Sequence, residues 1–480
     1  MRARENVLRR HDVETAGELI ARVDRLPVWP HSRWVLFIIA VGWFFCFFDI
    51  QTIAFSLPLA IKHYHVSATI GATAASFGLI GFVVGELAIS VISDRFGRRV
   101  GVFASIALYS VGALLNALAP GALSFIAART LSGAGIGAYI GVAATYVSEV
   151  MPAPIRGRFA AWTTFAALVG ASTTPFVALF LLPSVGVGWR ILLALPFISV
   201  FPLILGAREL PESIRWLIEH GRIDDAAEIV ARMEDRVRRT LGSRELPPVE
   251  ATIRAAVETE ERETFTWTSI FRPPILRYTV IFFLVWFFNY VTVYGFGTMG
   301  VTLLVQHGYT LVHSIEMAIA MAIGHVSGGL ISPFVSDRFS RKWPPFVVTG
   351  LTALELVFLG IFPGPVLITL YFFLVGFQVG IFAPLIYLLT AEHFPTSVRN
   401  LGVAFSDGVG HVGGAIAPIA ATLVAVKFGF GAVFFFLSGA FWLCALTLLF
   451  AKPTTKRNLE AIILSEFERE GSARTAALPP

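Results

Sequence analysis

Two charged residues, Asp49 and Arg129, lie inside long apolar segments of the chain. At 1.5 Å per residue, each is roughly 12 Å from the outer end of its predicted helix. A lone charge at this depth in a bilayer costs about 3 kcal/mol, so the acid and the base are expected to pair. If the pair separates in one conformation, Asp49 takes up a proton there and releases it when the pair forms again, which predicts proton coupling. The alternative is a permanent ion pair that only joins two helices.

A second candidate site combines a histidine and an aspartate. His411 and Asp407 are four residues apart, which places them on one helix face, with His411 roughly 16 Å into the membrane. An imidazole beside a carboxylate changes charge near neutral pH, so the pair is predicted to bind substrate. A polar packing pair is the alternative. His325 lies near the middle of another apolar segment and is a further candidate, for which a structural role is the alternative.

Aromatic and amide side chains supply more candidate contacts to a substrate. A wall of rings with a few polar groups suits a flat organic solute better than a polyol. For any one ring, packing in the core or against lipid is the alternative. The predicted substrate contacts of this kind are Trp43, Phe48, Asn289, Tyr290, Tyr294 and Gln378.

Composition identifies the elements that must position these residues. The chain has 480 residues, of which 56% are hydrophobic and 14% charged, whereas soluble proteins have about 25% charged residues. Apolar runs of about 20 residues recur along the chain and predict membrane-spanning helices. The predicted spans are 34–60, 68–92, 100–119, 121–149, 159–182, 189–208, 276–306, 313–336, 345–363, 365–392, 401–427 and 429–451.

Basic residues are distributed unequally between the two sets of loops. Most lie in the first tail, in the loop that follows each even-numbered span, and in the last tail. The positive-inside rule therefore predicts an inner-membrane protein with both termini in the cytoplasm. The net charge of +5 is an orientation signal, and no nucleic-acid partner is expected.

Five parts follow from this map. A cytoplasmic linker is predicted to form short amphipathic helices, because apolar residues recur among its charges at helical spacing. The parts are a tail at 1–33, a six-helix bundle at 34–208, the linker at 209–275, a second six-helix bundle at 276–451, and a tail at 452–480.

The second bundle repeats the first. A shift of 243 residues places Trp43-Phe44-Phe45 on Trp286-Phe287-Phe288, and Ser93-Asp94-Arg95-Phe96 on Ser336-Asp337-Arg338-Phe339. The same shift aligns Gly133 and Gly137 with Gly376 and Gly380. This predicts two parallel pseudo-repeats with a site between them. Asp49 and Arg129 align with Thr292 and Phe372, so their charges belong to one half only.

The sequence Asp-Arg-Phe-Gly-Arg-Arg at 94–99 closely resembles the signature loop of the major facilitator superfamily. Pro-Glu-Ser-Ile-Arg-Trp-Leu at 211–217 is similar to an element that follows the sixth helix in sugar porters. The resemblance covers nearly the whole chain and implies the all-α fold of twelve transmembrane helices. It also implies a cytoplasmic gate, in which the group of Asp94, Arg95, Arg98 and Arg99 pairs with Glu149 and Arg156, and the repeated group at Asp337 pairs with Glu392 and Arg399. The predicted gate residues are Asp94, Arg95, Arg98, Arg99, Glu149, Arg156, Asp337, Arg338, Glu392 and Arg399.

Within the superfamily, the polar residues that sugar porters use are replaced. The helix 5 glutamine position is Thr164, the helix 7 Gln-Gln pair is an aromatic run, and the helix 10 tryptophan position is Tyr387. Thr164 and Tyr387 are therefore candidate contacts to a substrate other than a sugar. The sequence Thr-Ala-Glu-His-Phe-Pro at 390–395 resembles the organic cation and anion transporters, including bacterial nicotinate-type and synaptic-vesicle-glycoprotein-like permeases.

We therefore predict a proton-coupled importer of a small organic solute, with an organic acid or an aromatic metabolite favoured. No G-x-x-x-x-G-K-[ST] loop occurs, which excludes that kind of ATP site. No catalytic group, metal site or cofactor is expected, and the predicted partners are the solute, protons and lipid around a monomer. The alternatives are a proton-driven exporter of drugs or organic cations, a sugar:proton symporter, and a nutrient sensor that does not transport.

Overall fold

Twelve membrane-length helices account for most of the chain. The computed structural model describes residues 16–184, 186–242, 245–249, 267–394 and 398–452. Within these ranges, 12 helices are long and apolar enough to cross a membrane, and no strand occurs. The predicted fold class is therefore confirmed. Residues 1–15 of the predicted first tail (1–33) and 453–480 of the predicted last tail (452–480) lie outside the described residues.

The observed helices lie where the apolar runs predict them. Their bounds are α1 Arg33–Tyr64, α2 Ala68–Phe96, α3 Arg98–Leu118, α4 Ala122–Val150, α5 Ala153–Ser184, α6 Gly188–Leu205, α7 Ile275–Gln306, α8 Leu311–Arg338, α9 Trp343–Ile361, α10 Pro365–Ala391, α11 Arg399–Phe428 and α12 Phe430–Leu448. The start of α5 at Ala153 precedes the predicted residue 159, because the helix continues past Arg156 and Arg158. Within α6, a 3₁₀ turn occupies Leu195–Ser199, where Pro196 has no amide hydrogen to donate.

The two halves pack in the same way. In the first half, α1 packs on α5 and α2 on α4; in the second, α7 packs on α11 and α8 on α10. The repeated glycines explain the shared geometry, because a Cβ at Gly137 would be 2.1 Å from the Phe82 carbonyl oxygen, and one at Gly380 would be 2.5 Å from that of His325. Small residues at these positions let neighbouring backbones touch. The predicted pseudo-repeat is thus confirmed in three dimensions.

The halves meet along three helix pairs. These pairs are α2 with α11, α5 with α8, and α1 with α7. The residues predicted to bind substrate or protons all lie on the helices of these pairs or on α4 and α10 behind them. The interface between the halves is therefore where the candidate site is assembled.

Two amphipathic helices, Ile214–Glu219 and Ile223–Leu241, form a small unit between the halves. The helix at residues 16–24 packs on them, and Leu19 and Val23 join Trp216 and Val230 in one apolar core. Arg22 and Arg25 both pair with Glu234 in this unit. The first tail was predicted only as a tail, so its docking on the linker is a finding of the structure.

Candidate functional site

Asp49 and Arg129 form a buried ion pair between α1 and α4. Arg129 Nη1 donates to Asp49 Oδ1 at 2.9 Å, and Nη2 donates to the Asp49 carbonyl oxygen at 3.1 Å. The residues are only 1% and 5% exposed. Thr52 donates to Oδ1 at 3.1 Å, and Ser132 donates to Oδ2. Every partner of this carboxylate therefore comes from the first half.

Thr52 and Ser132 were not predicted from the sequence. Thr52 lies three residues after Asp49, and Ser132 lies three residues after Arg129. Residues three apart share a helix face, so the spacing to each charge was the available signal. The two hydroxyl groups complete the hydrogen bonding of a carboxylate that would otherwise be costly to bury.

Asp407 on α11 has neutral partners instead of a cation. Tyr290 on α7 donates to Oδ1, and Tyr387 on α10 donates to Oδ2 at 2.5 Å. His411 Nδ1 donates to the Asp407 backbone carbonyl at 2.9 Å, while its distance to the carboxylate is 3.8 Å. In the predicted His–Asp pair, the carboxylate therefore accepts its hydrogen bonds from two tyrosines, while the imidazole donates to the carbonyl one turn back.

His411 instead joins the two halves through ring contacts. Its ring stacks on Phe82 of α2 with centroids 4.3 Å apart, and its centroid lies 4.0 Å from that of Tyr290. Tyr294 is next to it at 5.8 Å. Phe82 was not among the predicted residues, since a single phenylalanine in an apolar run gives no distinctive signal.

Two cavities lie at the interface of the halves. The first has about 450 Å³ of empty space and includes Gln51 of α1, Ser172 of α5 and His325 of α8. The second has about 310 Å³ and lies between α1, α2, α4 and α7. Its lining includes Arg129 and Tyr294.

Several predicted contacts point elsewhere. Gln378 donates to Asn289 at 3.0 Å and to Thr349 at 3.1 Å, and the pair is buried within the second half. Thr164 donates to the Ala160 carbonyl one turn back on an exposed face. The lining of the two cavities includes none of Asn289, Gln378 and Thr164.

The remaining predicted aromatic residues pack within the first half. Trp43 stacks on Phe47, with ring centroids 5.9 Å apart. Phe48 is 2% exposed and stacks on Phe44. Neither ring lines a cavity, so packing is the role that their contacts support.

The predicted gate of the first half centres on Arg98. Arg98 pairs with Asp94 and, through Nε at 3.1 Å, with Glu149. Arg156 does not join this group as predicted; it donates to Asp24 at 3.3 Å. The reason is that the helix at residues 16–24 docks nearby and supplies an acid that the loop motif alone cannot reveal.

The linker motif holds the same end of the bundle. Glu212 accepts a hydrogen bond from the Arg99 amide at 3.0 Å, and Trp216 Nε1 donates to the Asp94 carbonyl at 2.7 Å. Arg95 lies against the ring of Phe96 at 5.5 Å. The Pro-Glu-Ser-Ile-Arg-Trp-Leu element therefore fixes the loop between α2 and α3.

The second half has a related network. Arg341 pairs with Glu392, and Arg399 donates to the Ala391 carbonyl at 3.0 Å. Arg338 ends α8 on an exposed face. The side chain of Asp337 lies outside the described residues, so its predicted pairing stays a prediction.

Two acids have no such partners. Glu86 of α2 lies against α11, since a Cβ at Gly408 would be 3.0 Å from Glu86 Oε2. The charged group that acts on Glu86 is Asp407, another acid. Among the described residues, no side chain donates a hydrogen bond to the Glu86 carboxylate. Both carboxylate oxygens of Glu355 on α9 are also buried without a described partner, and nothing in the structure explains this acid.

Solved structures share this architecture. The chain superimposes on the inward-open xylose transporter XylE of Escherichia coli with a TM-score of 0.70, at 17% identity over 89% of this chain and 98% of that one. Twelve helices in two halves around a central site define a multi-pass membrane transporter of the major facilitator superfamily. The chain belongs to the family described as sugar (and other) transporter, whose model matches residues 35–463.

Curated relatives carry small organic solutes. The chain is 29% identical to the niacin transporter NiaP of Acinetobacter baylyi over 93% of this chain and 99% of that protein. It is 26% identical to the gentisate transporter of Corynebacterium glutamicum over 85% of this chain and 86% of the relative. These similarities and the family identify the protein as a transporter of small organic solutes.

Proposed function

We propose that this protein is a proton-coupled symporter that imports a small organic acid by alternating access. It works as a monomer in the inner membrane with both termini in the cytoplasm. The observation that carries the proposal is the Asp49–Arg129 pair, which is buried beside the cavity between the halves. Protonation of the one acid removes its charge and so breaks its ion pair with the one cation.

The coupling follows from the two states of the pair. When Arg129 contacts Asp49, the carboxylate is stabilised without a proton. When movement of the halves separates them, the buried carboxylate is stabilised only by taking up a proton. The two conformations therefore bind protons differently, which is the thermodynamic requirement for driving uptake with a proton gradient.

The preference for an acid rests on the chemistry of the lining. Arg129 and His325 line the two cavities, and His411 stacks on Phe82, which also lines the second. The names of two similar proteins specify niacin and gentisate, which are small aromatic acids. A polyol would need several hydrogen-bonding side chains, and the amides Asn289 and Gln378 already bond to each other.

Uptake into proteoliposomes tests the coupling. With an imposed pH gradient, the wild type should concentrate labelled nicotinate, and Asp49→Asn should not. The same variant should retain counterflow exchange, because exchange needs no net proton movement. Asp235→Asn is the matched control, since Asp235 lies exposed on the linker helix and should behave as wild type. Accumulation by Asp49→Asn in response to a pH gradient would show that Asp49 is not the coupling acid.

Cysteine labelling tests the orientation separately. Both native cysteines are buried, so single cysteines introduced at the exposed linker positions Arg222 and Arg238 report on one side, and one at Lys62 reports on the other. The first two should react with an impermeant maleimide only after the cells are opened, and the third in intact cells. The reverse pattern would place the termini outside.

A further inference from the structure

Arg129 has a hydrogen-bond donor that its pairing with Asp49 leaves free. Nη1 and Nη2 donate to Asp49, but Nε is buried and has no partner among the described residues. Arg129 is only 5% exposed. A buried donor without an acceptor is unfavourable, because it has lost its hydrogen bonds to water. A ligand that accepts a hydrogen bond from Arg129 Nε would remove this cost.

The free donor lies beside the second cavity. Arg129 and Gly78 both line this cavity, and a Cβ added to Gly78 would be 3.2 Å from Arg129 Nε. Gly78 therefore lies directly against the Arg129 side chain, and any larger residue there would press on it. Apolar side chains make up most of the other walls, with Phe82 of α2 and Tyr294 of α7 on opposite halves. The cavity is narrow in this conformation, so a ring with an acidic group at Nε needs movement of the halves, which carry Phe82 and Tyr294 on opposite walls.

The charges around Asp49 limit what can enter. Arg129 is the one cation that the described part of the chain pairs with Asp49. The other titratable groups that interact with Asp49 are Cys46 on α1 and Tyr109 on α3, and Tyr294 of α7 faces the cavity. None of these three supplies a positive charge. A carboxylate that enters the cavity would therefore have to share Arg129 with Asp49.

Sharing one cation between two buried carboxylates leaves one negative charge unpaired. An uncompensated charge in a low-dielectric site costs several kcal/mol, which a proton on one of the carboxyl groups removes. Because the substrate needs the cation to enter the membrane interior, Asp49 is the group that accepts this proton.

We propose that the carboxylate of the transported acid binds the free Nε–H of Arg129, and that a proton taken up by Asp49 balances its charge. Each cycle then carries one anion and one proton, with no net charge. This inference rests on the proposed function and adds to it: Arg129 becomes a substrate ligand, and charge balance becomes the cause of coupling.

Binding to the purified protein tests the ligand role with two probes that differ only in the acid group, nicotinate and nicotinamide. In Asp49→Asn the cation has no competing carboxylate, so nicotinate should bind at least about tenfold more tightly than to the wild type at pH 7.5. The affinity of this variant for nicotinate should no longer increase as the pH falls. Its affinity for nicotinamide should equal that of the wild type. An unchanged nicotinate affinity in Asp49→Asn, or the absence of binding by nicotinate, gentisate and benzoate to the wild type, would overturn the proposal.

A second variant tests the location without removing a charge. Gly78→Ala adds a methyl group against Cγ and Nε of Arg129 and should weaken nicotinate binding about tenfold. Gly439→Ala is the matched control, because nothing lies within 4 Å of a Cβ at that membrane glycine. Wild-type affinity in Gly78→Ala would place the carboxylate elsewhere.

The stoichiometry separates this inference from the proposed function. Nicotinate uptake driven by a pH gradient should produce no current on a supported membrane. A current, together with loss of accumulation in Asp49→Asn, would refute charge balance and leave proton coupling standing. Accumulation that does not depend on Asp49 would refute the proposed function itself.

Discussion

Asp49 in the first half and Asp407 in the second are both acids inside membrane helices, and the two halves stabilise them differently. Asp49 has a guanidinium group and two hydroxyl groups as partners. Asp407 has two phenol hydroxyl groups, from Tyr290 and Tyr387. The first arrangement is a charge pair, which a proton can break. The second is a set of neutral donors, which hold the carboxylate whichever way the halves are tilted.

The internal repeat makes the contrast sharper. Tyr290 and Tyr387 lie on α7 and α10, the counterparts of α1 and α4, which carry Asp49 and Arg129. The position equivalent to Asp407 is Thr164, 243 residues earlier. The same helix pairs thus contribute a cation and an acid in one half and two hydroxyl donors in the other. The first half thus stabilises its buried acid with a charge, and the second half with neutral donors.

The largest expected effect is on the charge pair itself. Arg129→Ala should lower the free energy of unfolding by about 3–5 kcal/mol, because it leaves Asp49 buried and uncompensated. The double variant Asp49→Asn/Arg129→Ala should recover most of that loss. Unfolding in mixed micelles measures both. Equal stability of the single and double variants would mean that Asp49 is not an unpaired charge in the single variant.

The hydroxyl donors of the second half should matter less. Tyr290→Phe removes a hydrogen bond to a charged carboxylate and should cost about 1.5–3 kcal/mol in the same measurement. Tyr371→Phe is the matched control, since the Tyr371 hydroxyl is buried without a described partner and its removal should not destabilise the protein. If the two variants lose the same stability, the hydroxyl–carboxylate bond does not stabilise Asp407.

Variants of His411 test whether the second half contributes to substrate binding. His411→Ala removes the ring between Phe82 and Tyr290 and should weaken nicotinate binding about tenfold, or ~1.4 kcal/mol. His411→Asp should be weaker still, because it adds a negative charge one turn from Asp407. His313→Ala, at the exposed start of α8, is the control. If His411→Asp binds nicotinate as tightly as the wild type does, the proposal that the substrate is an anion is wrong.

The smallest effect is expected outside the membrane, at the docked first helix. Burial alone would raise the pKa of Glu234, but hydrogen bonds from Arg22 and Arg25 outweigh it and lower the pKa. Glu234→Gln should therefore cost about 1 kcal/mol at pH 7. Because the folded pKa is depressed, the wild type has this stabilisation above pH ~4.3 and loses it as the pH falls further. Thermal unfolding of both proteins at pH 7 and pH 4 measures the difference, which should shrink at the lower pH. A difference that persists unchanged would show that charge is not its cause.

The fold was predictable because its signals are local. Lipid requires about 20 apolar residues per helix, so the number and approximate positions of α1–α12 could be read from the apolar runs. The repeated glycines, Gly137 and Gly380 among them, gave the two-fold organisation through a constant shift. The contact between Asp49 and Arg129 was expected for a similar reason, since each charge is costly at its own depth whatever surrounds it.

The choice of partners could not be predicted in the same way. Arg156 donates to Asp24, because the docked helix at residues 16–24 brings that acid close to it. Asp407 accepts from two tyrosines, because α7 and α10 converge on α11. Gln378 donates a hydrogen bond to Asn289 inside the second half. The sequence by itself determined which residues are apolar, how long each helix is and which charges need a partner, because these are properties of single segments. Only the tertiary structure decided which partner each charge has, and that Arg129 has a free donor beside a cavity, because those depend on the side chains that packing brings together.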